Sequence, residues 1–241
     1  GLPEAAGYSF ATTWINHLKR HHRCEARESK DVSPLDEGHT ITETKLRRSI
    51  DCPTPLTPIC PDKLDTQQWL SVMRAAHLVG LKTTATIMFG HVETYAHWAE
   101  HLLCVRELQS ETGGFTEFVP LPFVHMEAPI WRKGGTRSGP SWREAVLMHA
   151  VARIALDGAI PNIQTSWVKL GPDGAAAMLQ SGANDLGGTL MDESITRSAG
   201  GVNGQNFDVT AMRALAASLG RPLRERTTLY QMREAQMDYA D

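Results

Sequence analysis

Thr83-Thr84-Ala85-Thr86-Ile87-Met88-Phe89 is rich in β-branched and apolar side chains and closes on Gly90. Such a run reads as a strand buried in a sheet. Its flanks read as helices. Upstream, Asp65 and Gln68 make a capping pattern, and Trp69, Val72, Met73, Ala76 and Val79 fall on one helical face before Gly80 stops it. Downstream of Thr94, Tyr95, Trp98, Ala99, Leu102 and Val105 recur at helical spacing, and Phe115 to Val124 reads as a second strand despite Pro120 and Pro122.

The cycle repeats toward the C-terminus. Ser141 and Glu144 form a capping box for a helix to about Leu156, with Gly158 as its stop and a strand expected from Asn162 to Val168. Pro172 suits the first turn of a helix through Gln180. A fourth strand is expected at Leu186 to Leu190, then a glycine-rich loop and a helix from Val209 to Leu219 ended by Gly220 and Pro222. Helix alternating with strand predicts parallel strands joined by crossover helices. No glycine-rich dinucleotide fingerprint is present, so the expected class is α/β, a partial (β/α) barrel of four units.

Residues 1–58 carry no sustained period and hold Pro53, Pro55 and Pro58, so they are expected to be irregular or poorly ordered. The barrel portion is 59–241. The chain has 241 residues, 41% of them apolar and 21% charged, enough to bury a globular core. A net charge of −3 leaves no basic surplus for a nucleic-acid partner and favours small-molecule substrates. No apolar run approaches the ~20 residues of a membrane span, and no signal peptide is evident, so a cytoplasmic location is expected. Cys24, Cys52, Cys60 and Cys104 lack the spacing of a disulfide framework. A zinc set could draw on His21, His22, Cys24, Cys52 and Cys60, but no C-x-x-C or H-x-x-x-H pair anchors it, and no metal site is expected.

In a parallel barrel, functional groups gather where strands end at their C-termini. After the first strand come Gly90, His91 and Glu93; after the second, His125 and Glu127; after the third, Lys169; after the fourth, Asp192 and Glu193. His91, Lys169, Asp192 and Glu193 are the candidates for a polar substrate pocket. Each has a plainer explanation. His91 and Glu93 also suit a helix start, His125, Glu127 and Lys169 suit solvated turns, and Asn184 and Asp185 suit turn formers on the opposite, stability face.

Three segments in order, Ile59-Cys60-Pro61-Asp62-Lys63-Leu64, Thr84 through Glu93, and Phe118-Val119-Pro120-Leu121-Pro122-Phe123, resemble the hydroxyphenyl-transferase family of FO (deazaflavin) synthase. Gln164-Thr165-Ser166-Trp167-Val168-Lys169 and Gly182 through Ile195 continue the likeness, which covers roughly residues 59–235. The family consists of radical S-adenosylmethionine enzymes with a TIM-type barrel, and the likeness is to its C-terminal half. The resemblance implies S-adenosylmethionine and a [4Fe-4S] cluster as cofactors, tyrosine and ribitylaminouracil as substrates, and a companion FO synthase subunit as a partner. It also implies that a deoxyadenosyl radical attacks tyrosine and that the hydroxybenzyl unit passes to the ribitylaminouracil. Thr86 to Glu93 is similar to the family's G-x-I-x-G-x-x-E motif. Gly90 and Glu93 match it and are the implied S-adenosylmethionine contacts, while Thr86 and Met88 depart.

One departure is larger. The chain has no C-x-x-x-C-x-x-C, whose thiolates hold the cluster, and residues 1–58 do not resemble the family's preceding segment. The expectation is a truncated chain, or one whose first part comes from a shifted frame, inactive by itself. An aminofutalosine synthase-like radical enzyme and a non-catalytic binding remnant are the competing readings.

Overall fold

The computed structural model describes residues 64–190 and 192–233. Residues 1–58, expected to be irregular, the zinc set and the Ile59–Lys63 stretch lie outside the described residues. The first helix, α1 (Thr66–Leu78), starts at the expected capping box: Asp65 accepts from the Gln68 backbone N–H at 2.8 Å, and the Gln68 side chain accepts from that of Asp65 at 3.0 Å. Its buried face differs from the expected one. Leu70 and His77 are buried, whereas Val72 and Val79 are exposed. The helix leans on its neighbours through a narrow stripe, and His77 is held there by the Thr112 and Thr83 hydroxyls at 2.6 and 2.7 Å.

The stretch from Thr83 to Phe89 is strand β1 (Thr83–Phe89), followed by α2 (Tyr95–Thr112) and β2 (Phe115–Pro122). The two strands pair in parallel from Thr83↔Phe115 to Phe89↔Pro122. Ala85, Ile87 and Phe89 are buried under the helices, while Thr84, Thr86 and Met88 on the other face are exposed. Helices therefore cover one face of this strand pair.

Beyond β2 the structure corrects the expected strands. Asn162–Val168 contributes one parallel bridge, Phe118↔Ile163, and the next segment contributes Gln164↔Asp185 rather than a strand over Leu186–Leu190. Trp167 and Val168 already belong to a helix. The prolines give a reason. Phe118 donates to Asn162 O and accepts from Gln164 N, so its backbone groups face this third segment. Residues two apart in a strand face the same side, so Pro120 and Pro122 present no N–H where the ladder would continue. At the fourth segment, the Asp185 carboxylate accepts the Gly187 N–H at 2.6 Å and Gly187 takes φ 73°, which turns the chain out of the sheet.

The remaining helices are α3 (Pro129–Arg132), α4 (Trp142–Ala155), α5 (Trp167–Gln180), α6 (Ser194–Ser198) and α7 (Val209–Ser218). The Ser141–Glu144 capping box and the helix near 209–219 are found as expected. The expected start at Pro172 is the second half of α5, separated from its first turn by Gly171 at φ 71°, ψ 176°. Phe89, Trp98, Phe118, Met148 and Ile163 are at the centre of the core. The architecture is α/β, with a small parallel sheet and packed helices. Among the described residues no helix is long and apolar enough to cross a membrane.

Candidate functional site at the C-terminal ends of the strands

Downstream of Phe89 the chain turns sharply through Gly90, at φ 95°. A β-carbon there would lie 2.2 Å from Pro140 Cδ, so only glycine lets the Pro140 loop pack against it. The turn is organised around Glu93. Its buried carboxylate accepts the backbone N–H groups of Gly90 and His91, the latter at 2.9 Å, and the Trp98 indole N–H and Arg137 guanidinium at 3.1 Å each. Burial by itself would raise this carboxyl, but the Gly90 and His91 N–H bonds and the nearby ring of His91 outweigh it and hold it below its ordinary value. Arg137 also reaches Glu144 at 2.6 Å, so one guanidinium ties the β1 loop to the cap of α4.

His91 is equally enclosed. Its Nδ1 accepts the Val92 N–H at 2.7 Å and also lies 3.0 Å from a Glu93 carboxylate oxygen, while its Nε2 lies 3.1 Å from Met88 O. Burial, opposed by the charge of Glu93, lowers its pKa. Gly90, His91 and Glu93 form one cluster whose polar atoms are directed into the loop itself.

Lys169 stands in a second cluster, in the first turn of α5. Its ammonium reaches the Thr196 hydroxyl of α6 at 3.4 Å, and burial lowers its pKa against the opposing charge of Glu193. Glu193 caps α6 by accepting the Ile195 and Thr196 N–H groups at 3.1 and 2.8 Å. Asp192, exposed and at φ 59°, pairs with Arg197 at 2.8 Å. His125 stacks edge-on against Trp131, with ring centroids 4.8 Å apart, and Glu127 pairs with Arg132.

Backbone contacts join these loops into one surface. Phe123 N donates to Phe89 O at 2.8 Å, and Glu127 N to Ala199 O at 3.0 Å. A β-carbon on Gly200 would lie 2.7 Å from Met126 Cβ. Away from this surface, Arg226 holds Asp185, and the Tyr230 hydroxyl donates to Glu117, while Glu117 accepts from Thr84 on the uncovered face at 3.0 Å. Asn184 accepts the Ile163 N–H at 2.8 Å and Arg153 at 2.7 Å. Sequence reading missed Arg137 as the partner of Glu93, and it missed the Arg226–Tyr230 group entirely. Both depend on loop residues with no periodic pattern. Among the described residues no three His, Cys, Asp or Glu side chains converge as a metal site, and Cys104 is buried in the core.

The family model described as the CofH/MqnC C-terminal region matches residues 112–239. The chain is 54% identical over 168 residues to the FO synthase of Nocardia farcinica, covering 70% of this chain and 19% of that protein. It is 53% identical over 172 residues to the 5-amino-6-(D-ribitylamino)uracil–L-tyrosine 4-hydroxyphenyl transferase of Methanoculleus marisnigri, covering 71% and 47%. For the transferase of the same name from Methanocaldococcus jannaschii, the identity is 47% over 176 residues, covering 73% and 49%. The chain thus matches about a fifth of the length of the FO synthase and about half that of the two transferases. By the match across residues 112–239 and by these relatives, the chain belongs to the CofH/MqnC C-terminal region family.

Proposed function

We propose that this chain carries the C-terminal part of a 5-amino-6-(D-ribitylamino)uracil–L-tyrosine 4-hydroxyphenyl transferase and supplies loops to its substrate site. The observation that carries the reading is the 47% to 53% identity to transferases of that name over about half their length. The parallel order of the sheet supports a portion of a (β/α) barrel, with the joined loops at its C-terminal end. In this reading S-adenosylmethionine lies against the β1 loop, where it would supply radical chemistry. Gly90 and Glu93 act on it by holding the loop backbone in shape, since the Glu93 oxygens are already engaged by four donors. His91 keeps the same turn closed. Lys169, Asp192 and Glu193 face the substrates, tyrosine and ribitylaminouracil.

The [4Fe-4S] cluster does not fit this chain. It needs three thiolates at the C-x-x-x-C-x-x-C spacing, which the sequence lacks, and the buried Cys104 is one thiol deep in the core. The activity therefore requires another polypeptide segment, and no step of the reaction is assigned to this chain alone. The test is complementation. The full chain is combined anaerobically with the N-terminal half of the Methanocaldococcus jannaschii transferase, S-adenosylmethionine, tyrosine and ribitylaminouracil, and products are identified by mass. The expected product is the hydroxybenzyl adduct of ribitylaminouracil. Its absence, when the two halves of the archaeal protein make it together, would overturn the reading.

A further inference from the structure

A half-buried ammonium with no counter-ion in contact among the described residues is the feature that the rest of the site leaves unexplained. Three guanidinium groups of the strand-end loops are ion-paired: Arg137 with Glu93 and Glu144, Arg132 with Glu127, and Arg197 with Asp192. Among the described residues Lys169 has no such ion pair. Its hydrogen-bond partner is the Thr196 hydroxyl at 3.4 Å, longer than a well-made bond. Glu193 influences it from beyond ion-pair contact, with its oxygens turned to the first N–H groups of α6. A half-buried ammonium in this state has given up part of its hydration with no counter-charge in contact among the described residues.

The surroundings are built rather than loose. Gly204 lets its loop approach α5, since a β-carbon there would lie 3.1 Å from Val168 Cγ1 and 3.6 Å from Glu193 Cβ. Gly171 similarly leaves 3.1 Å between such an atom and Asn203 Oδ1. Lys169 is thereby held between two elements at the C-terminal ends of the third and fourth sheet segments. A cation and a carboxylate kept apart on one surface also match the two charges of an α-amino acid.

We infer that Lys169 anchors the α-carboxylate of an amino-acid ligand, with Glu193 placed toward its ammonium. Tyrosine and S-adenosylmethionine both carry this group, and the assignment to tyrosine rests on the function proposed above, whereas the anchor itself does not. The full chain is titrated calorimetrically with tyrosine and tyramine, and with S-adenosylmethionine and its decarboxylated analogue. The same titrations are made on Lys169→Met and Lys169→Arg, with circular dichroism confirming the fold. One acid is expected to bind at least about tenfold more tightly than its decarboxylated partner, a preference that Lys169→Met removes and Lys169→Arg partly retains. A preference seen with the tyrosine pair makes tyrosine the ligand; one seen only with the other pair keeps the anchor and moves it to the cofactor. Equal affinities within both pairs, no binding of either acid, or a preference that survives in folded Lys169→Met overturns it. Lys169-dependent binding together with a failed complementation test would leave the anchor standing and remove the transferase reading.

Discussion

Glu93 is the residue on which the β1 loop turns. Four donors converge on a buried carboxylate, two of them backbone N–H groups of the turn itself. Glu93→Ala is expected to destabilise the chain by roughly 1–3 kcal/mol, because the Gly90, His91 and Trp98 N–H donors lose their buried acceptor while Arg137 keeps Glu144. Urea unfolding checks this, and a loss below about 1 kcal/mol would refute the account. Two further side chains make stability depend on pH. Burial lowers the pKa values of His101 and His149 to about 4, and the Nε2 atom of each lacks a hydrogen-bond partner. Between about 6.5 and 4 the unfolded chain therefore binds protons that the native chain excludes. Stability should be complete above about pH 6.5 and fall through that window, by on the order of 3 kcal/mol for each histidine at its lower end. Urea midpoints at about pH 7.5 and about pH 5 test it, and a flat profile would contradict it. The motif marked Gly90 and Glu93 in the sequence, but no spacing rule identified Arg137 as their neighbour.

At the scale of elements, caps and glycines act as local instructions. The Asp65–Gln68 and Ser141–Glu144 boxes open their helices where the sequence placed them, because each box satisfies its own end groups without help from the fold. Strand length behaved differently. β1 and β2 were legible from β-branched and apolar runs, but the third segment shrank to a single bridge beside the prolines of β2, which offer no N–H, and the fourth because Asp185 and Gly187 turn the chain out of the sheet. Gly90→Ala should cost more than about 2 kcal/mol, since the substitution adds both positive-φ strain and the overlap with Pro140. Thermal unfolding measures the loss. A variant as stable as the parent would show that the Pro140 loop moves aside freely.

For the molecule as a whole, the segment near the C-terminus matters more than its sequence announces. Arg226 and Met232 form an antiparallel bridge, and Arg226 and Tyr230 carry that segment to Asp185 and Glu117 of the sheet. The guanidinium also lies 3.9 Å from the Tyr230 ring centroid. Burial first, then the bond to Glu117 and the nearby carboxylates, pushes the Tyr230 hydroxyl well above its ordinary pKa. Arg226→Ala leaves two largely buried carboxylates without their cation and should cost roughly 3 kcal/mol. Hydrogen exchange should then quicken around Asp185 and Glu117; unchanged exchange with unchanged stability would rule out a fastening role.

The sequence by itself determined the alternation of helix and strand, the caps, the polar character of the strand ends and the likeness to a radical-enzyme family. Those properties are local or are carried by ordered motifs, so they survive without knowledge of neighbours. Only the tertiary structure decided which α1 face is buried, how far the sheet extends, and that Glu93 and His91 spend their polar atoms on their own loop while Lys169 does not. Each of these depends on groups distant in the chain, such as Arg137 for Glu93 and Thr196 for Lys169, and contact across such separations is set by packing rather than by spacing.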